Sequence, residues 1–143
     1  MNNYFAAEAL ILTQLEQLND SFRQIGAGRS LEAIREHPGA VPALFLIYDG
    51  QKPDLGAGRE QAIHQQWLLV VVVRSARQME NGIQERIEAG PLLIRLCETL
   101  IGWQPDSEHG PLTLNTAPGP VYHHGYGYYP LRMSTRLILR GLS

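Results

Sequence analysis

Leu131-Arg-Met-Ser-Thr-Arg-Leu-Ile-Leu-Arg140 alternates residue by residue, and its reading decides the fold. Leu131, Met133, Thr135, Leu137 and Leu139 fall on one side of an extended chain. Arg132, Ser134, Arg136, Ile138 and Arg140 fall on the other. The first side is built for a core. The second carries three arginines at i, i+4 and i+8, successive ones about 13 Å apart at strand rise. The strand is entered through an aromatic, glycine-rich run, Tyr122-His-His-Gly-Tyr-Gly-Tyr-Tyr-Pro130. No obvious catalytic chemistry lies beside it, so the arginine face is expected to be a contact surface.

Upstream, Trp67-Leu-Leu-Val-Val-Val-Val73 is an unbroken apolar run of strand length, which implies cover on both faces. Pro42-Ala-Leu-Phe-Leu-Ile-Tyr-Asp49 reads as a second central strand, closed by the turn signal Asp49-Gly50. Residues 51–65 are polar and carry Pro53, Gly56 and Gly58; the segment is expected to be a long loop, functional or mobile. Apolar residues at 4, 11, 15, 18, 22 and 25 follow helical steps and predict a first helix over residues 4–24, stopped by Gly26 and Gly28. Residues 30–38 read either as a short helix capped by Ser30 or as an irregular strand, ended by Pro38. A second main helix is expected over residues 82–103. Ile83, Ile87, Ile94, Cys97 and Ile101 keep one phase across Gly90-Pro91, with Leu93, Leu96 and Leu100 widening the stripe, which points to one kinked helix with its apolar side inward. Residues 111–117 alternate briefly and predict a third strand. The order gives an α+β (mixed α/β) fold: one four- to five-stranded sheet packed against two main helices, in a single domain over residues 1–143.

The length of 143 residues and the 44% apolar content support a packed core. No stretch approaches the roughly 18 apolar residues of a membrane span. Residues 1–8 lack the basic flank of a signal peptide, so the expectation is a protein kept in a cytoplasm. A net charge of −2 argues against nucleic-acid binding by bulk electrostatics. Eleven of the twelve basic residues are arginine, a bias that suits subunit interfaces and that genomic base composition also produces. The lone Cys97 excludes an internal disulfide and a multi-cysteine metal site, and it reads as a small core residue.

Enzymatic chemistry is sought and not found. His123 and His124 are adjacent, which on an extended chain points them apart and away from one metal. His37, His64 and His109 fall in loop-like segments without a carboxylate at ligand spacing. Gly26-Ala-Gly-Arg-Ser30 follows a helix, whereas a phosphate loop follows a strand; Gly56-Ala-Gly-Arg59 fails the same test. Glu85, Glu88 and Glu98 read as a solvated helix face pairing with Arg86 or Arg95. Neither a catalytic residue, a metal ligand nor a cofactor site is assigned.

Taken together, the Pro-Ala-Leu-Phe-Leu-Ile-Tyr-Asp-Gly strand, the Trp-Leu-Leu-Val-Val-Val-Val strand, the helix carrying Ala-Gly-Pro-Leu-Leu and ending in Leu-Ile-Gly-Trp-Gln-Pro105, and the terminal Tyr-Tyr-Pro-Leu-Arg-Met-Ser-Thr-Arg136 resemble one family. The chain is similar to the tail terminator proteins of long-tailed bacteriophages, particularly those of Mu-like phages and prophages. The resemblance runs from Phe5 to Gly141 and rests on element order more than on invariant residues. It implies a non-enzymatic structural protein of the virion, assembled in the host bacterial cytoplasm and sited at the neck-proximal end of the tail. Such a protein forms a homohexameric ring on the last ring of tail tube protein, stops tube elongation and joins the head-completion or neck protein. Phage DNA passes through without sequence-specific binding, and no membrane or cofactor is involved. The expected subunit and tube contacts are Arg132, Arg136 and Arg140, Tyr122, Tyr126 and Tyr128 of the tyrosine run, and Lys52 and Arg59 of the 51–65 segment, with Glu85 or Glu88 of a neighbour as acidic partners. The alternatives are another ring protein of the tail or neck, or a small cytoplasmic enzyme or metal-binding domain using His123 and His124.

Overall fold

The computed structural model describes residues 2–74 and 82–142. The chain runs α1 (Ala6–Leu15), β1 (Gln24–Gly28), α2 (Leu31–Glu36), β2 (Ala43–Ala57), β3 (Glu60–Arg74), α3 (Ile83–Leu100), β4 (Thr113–Asn115), β5 (Val121–His123) and β6 (Tyr126–Arg140). The strands form one sheet in the order β1-β2-β3-β6-β4, with β5 also paired to β6. Among the described residues only β1 and β2 pair in parallel. This is the expected single sheet with helices on it, built, among the described residues, from six strands and three α-helices. Among the described residues no helix is long and apolar enough to cross a membrane.

The 67–73 run divides between two cores. Trp67, Leu69, Val71 and Val73 face a cluster with Ile11 and Leu15 of α1 and Leu96 and Leu100 of α3. Leu68, Val70 and Val72 face a smaller cluster with Ile34 of α2, Ala43, Ile47 and Tyr128. Apolar side chains on alternate sides bury equally well because each face has its own helix.

The first helix is shorter than the periodicity predicts. It ends at Leu15 and a 3-10 turn, Glu16–Leu18, follows. Leu18 and Phe22 still reach the same core, so the burial pattern outlasts the helix. Gly26 and Gly28 are not a helix stop but part of the edge strand β1. A Cβ at Gly28 would lie 3.1 Å from Ile34 Cδ1, so the glycine permits α2 to sit on the strand. The ambiguous 30–38 segment is helical: Ser30 caps α2 by accepting from Ala33 N at 3.1 Å.

The expected 51–65 loop is the outer half of a long β-hairpin. Asp49-Gly50 is no terminating turn; it lies in a register shift between Tyr48 and Gln51, with Gly50 at φ +92. A second shift follows Pro53, and the hairpin closes between Ala57 and Glu60. Gly58 alone of the two turn residues has positive φ, the glycine-first pattern of a type II′ turn. Pro53 is tolerated because β1 pairs with β2 only at Ala43 to Ile47, leaving the outer part of β2 an edge.

The largest correction concerns α3. It is one helix through Pro91, but its buried residues are Glu85, Ala89, Leu96 and Leu100. The isoleucine stripe predicted to face inward is turned outward, with Ile83, Ile87, Ile94 and Ile101 all exposed. Leucines and Ala89 supply the inward side, and the stripe is a second apolar surface. Leu137 is buried beside His109, where the chain after α3 crosses β6, and Leu139 is only half-buried.

Candidate functional site

Of the three expected contact regions, the arginine stripe lies on β6 and the 51–65 segment on the hairpin beside it. Beyond the main core, residues 51–57 of β2, the outer half of β3 and the end of β6 make a three-stranded arm. Every side chain from 51 to 61 is exposed, including Leu55 at 80%. Alternation on β6 sets Arg132, Arg136 and Arg140 on one side of the sheet, as expected.

Each arginine meets an acid within its own chain. Arg132 holds Asp49 on β2, with Nη2 at 2.7 Å and Nε at 2.8 Å, and also donates to the Thr116 carbonyl. Arg136 Nε lies 3.3 Å from Asp54 Oδ2, which His64 Nε2 meets at 2.9 Å. Arg140 Nε is 2.9 Å from Glu60. The register explains the ladder: Arg136 is paired to His64 and Arg140 to Glu60 across β3. Asp54 is held below the usual carboxylate pKa chiefly by the His64 hydrogen bond, then by the Leu55 backbone N–H and Arg136. The ladder fastens β2 and β3 to β6. Its side chains stay open to solvent by an amount that grows toward the tip, from 26% at Arg132 to 46% at Arg136 and 68% at Arg140.

Between this face and residues 104–111 lies a cavity of about 570 Å³, lined by His64, His109, Thr113, Ser134, Arg136 and Arg140 among others. His109 is fully buried, with Nδ1 2.8 Å from Asp106. The expectation of no carboxylate at ligand spacing is therefore wrong for His109, while His64 meets one that is not at such a spacing. Asp106 was legible as an i, i+3 neighbour; Asp54 is brought to His64 only by the hairpin. Among the described residues no group of three or more His, Cys, Asp or Glu side chains is placed to hold a metal.

The tyrosine run is not a loop. β5 and the start of β6 form a hairpin whose turn, His124-Gly125, has φ +48 and +81, the positive pair of a type I′ turn. The left-handed backbone at His124 overturns the opposed geometry expected for adjacent histidines: their ring centroids are 3.9 Å apart. His123 is held below its ordinary pKa by desolvation first, then by His124 and Arg35. Tyr128 is completely buried, which makes it a core residue and removes it from the contact candidates. Tyr129 is also buried and shares a 3.2 Å hydroxyl contact with Tyr122. Tyr126 is half-buried under Arg74, whose guanidinium carbon lies 5.4 Å from the ring centre. Tyr122 remains substantially exposed, as do Lys52 and Arg59, the latter donating to the Leu142 carbonyl. Glu85 is buried in its own chain and cannot serve a neighbour's arginines; Glu88 is exposed. Arg95 meets Asp20 at 3.3 Å and Ser21, not a glutamate of its own helix.

Much of this arrangement is a braced, exposed projection. No curated protein matches the chain. A family model described as phage tail terminator protein matches residues 1–142. That match takes in the helices, the sheet and the arm together, and the chain therefore belongs to the phage tail terminator family, which makes it a structural component of a phage tail.

Proposed function

We propose that six copies of this chain close into a ring on the last ring of tail tube protein, end tube elongation and present a surface to the head-completion or neck protein. The observation that carries the reading is the family match over residues 1–142. The structure supports it through the arm, a three-stranded projection that exposes Lys52 near its base and Leu55 and Arg59 toward its tip. Loops and projections held by a rigid sheet are common docking elements. The arginine face contributes through Arg136 and Arg140, which keep enough open surface to take a partner's carboxylates. Tyr122 supplies an aromatic contact of the kind enriched at interfaces. The ring sits at the neck-proximal end of the tail and assembles in the host cytoplasm, and DNA crosses it without base-specific contact.

The test is electron microscopy of particles made without this chain. Tubes of uncontrolled length without heads are expected. Tails of normal length that merely fail to join heads would reassign the chain to a neighbouring ring of the neck. Normal, headed tails would overturn the reading altogether.

A further inference from the structure

At the end of the sheet away from the arm, Arg74 of β3, Tyr126 of β6 and His123 of β5 stand in one row, because Arg74 pairs with Tyr126 and Tyr126 with His123. Residues directly opposite in antiparallel strands share a face, so the three side chains lie side by side over about 10 Å. It is the face that α2 covers, since Val72, Tyr128 and Val121 of the adjoining row pack with Ile34. The Arg74 guanidinium sits over the Tyr126 ring, and the His124 ring meets that of His123 with centroids 3.9 Å apart. Arg35, in the last turn of α2, acts electrostatically on both His123 and Tyr128.

Four basic groups therefore gather here without an acid. Arg132, Arg136 and Arg140 on the same face each meet a carboxylate; among the described residues neither Arg35 nor Arg74 does. Donors are unused as well. Arg35 Nε and the hydroxyl of the fully buried Tyr128 are shut off from solvent with no hydrogen-bond partner. A cation held partly out of water without a counter-charge is unfavourable, and buried donors are ordinarily paired.

We infer that this cluster is a docking site for an acidic segment of a partner protein, whose carboxylates pair with Arg35 and Arg74 beside His123. Guanidinium groups take carboxylates through paired donors, and complementary charge selects the class of partner. Nucleic acid is the poorer fit, since only two permanent charges stand here and the chain carries −2 overall. His123 links docking to protons. It is faced by His124 from its own hairpin, by Arg35 from α2, and by Tyr126 and then Arg74 across the sheet. Desolvation first, then His124 and Arg35, hold its pKa below the ordinary value. A carboxylate arriving beside it favours the charged imidazolium, so docking takes up a proton and tightens as pH falls from about 8 to about 6. The site belongs to the single chain and does not depend on the ring proposed above.

Binding of a fluorescent oligoglutamate peptide to the full chain at low salt, read by anisotropy, tests this. Arg35→Gln and Arg74→Gln should each weaken binding at least fivefold with the melting temperature nearly unchanged. Arg74 is exposed, so its variant decides the matter should Arg35→Gln fail to fold. In an NMR titration of the histidine rings, added peptide should raise the pKa of His123 and leave the buried His109 unmoved. No binding, equal binding by both variants, or an unmoved His123 overturns the inference. Tighter binding of single-stranded oligothymidylate would assign the cluster to nucleic acid, and self-association of the chain abolished by Arg35→Gln would assign it to a second copy; either result also overturns it.

Discussion

Asp106 shows how much one side chain does in the connection that follows α3. Its Oδ1 accepts from the backbone N–H of Glu108 and of His109 at 2.9 Å each, and from His109 Nδ1 at 2.8 Å. Burial raises the carboxyl's pKa, but the hydrogen bonds from His109 and the two backbone donors outweigh it and leave the group below 3.8. A folded-state pKa below the unfolded one contributes stability that is full above the unfolded value and lost as pH falls through the folded one. Wild type should therefore lose stability below pH 3.8 more steeply than Asp106→Asn, whose amide does not titrate. Melts of both proteins from neutral to acid pH check this; equal acid limbs would show that the carboxylate's charge adds nothing. Asp106→Ala strands the buried His109 donor and should cost about 1–3 kcal/mol at neutral pH. The Asp-Ser-Glu-His spacing was readable as a local turn of this kind. The proximity of His123 and His124 was not, because it depends on a left-handed residue in a two-residue turn that period-two reasoning passes over.

The elements were legible where burial and periodicity agree and illegible where they part. Trp67 to Val73 and, on β6, Met133, Thr135 and Leu137 are buried on the sides their patterns assign, with Leu139 only half-buried. The 51–65 segment reads as a loop because residues 51–61 are exposed on both sides, and a strand with no buried face has no alternation to read. β1 was missed because glycines that admit Ile34 look like punctuation. In α3 two apolar stripes compete, and the better-phased one proved to be the outer one. These assignments fix unequal costs for similar substitutions. Leu15→Ala in α1 and Leu137→Ala in β6 both empty fully buried sites and should each cost roughly 2–5 kcal/mol. Ile94→Ala, on the exposed side, should stay within about 0.5 kcal/mol in the monomer. Urea melts compare the three directly. A loss at Ile94 equal to that at Leu15 would mean that the described face of α3 is wrong.

For the whole molecule the question is whether the arginine ladder only braces the arm or also meets another protein. Both roles are compatible with the ion pairs seen, because an exposed pair contributes only about 0–1 kcal/mol and leaves guanidinium surface to spare. The sequence made the stripe visible but not its internal acids: Asp49 and Asp54 reach β6 only because the hairpin folds back. Single charge reversal alone does not separate the roles, since Arg136→Glu sets a carboxylate against Asp54 and also alters the outward face. A charge swap does separate them. Asp54→Arg combined with Arg136→Glu keeps an internal pair of opposite sign across the arm but presents the reversed arrangement outward. We expect Arg136→Glu to leave the melting temperature nearly unchanged and to prevent tail capping, and the swap to keep the fold while capping stays lost. Tail-length distributions by electron microscopy, read beside thermal melts of each purified variant, give the answer. Recovery of normal tail length in the swapped protein would reduce the ladder to a brace, and the docking surface would then have to lie on the exposed Lys52, Leu55 and Arg59 of the arm. Opposite-charge compensation in a partner's acidic residue, restoring length to Arg136→Glu, would identify the surface that the ladder meets.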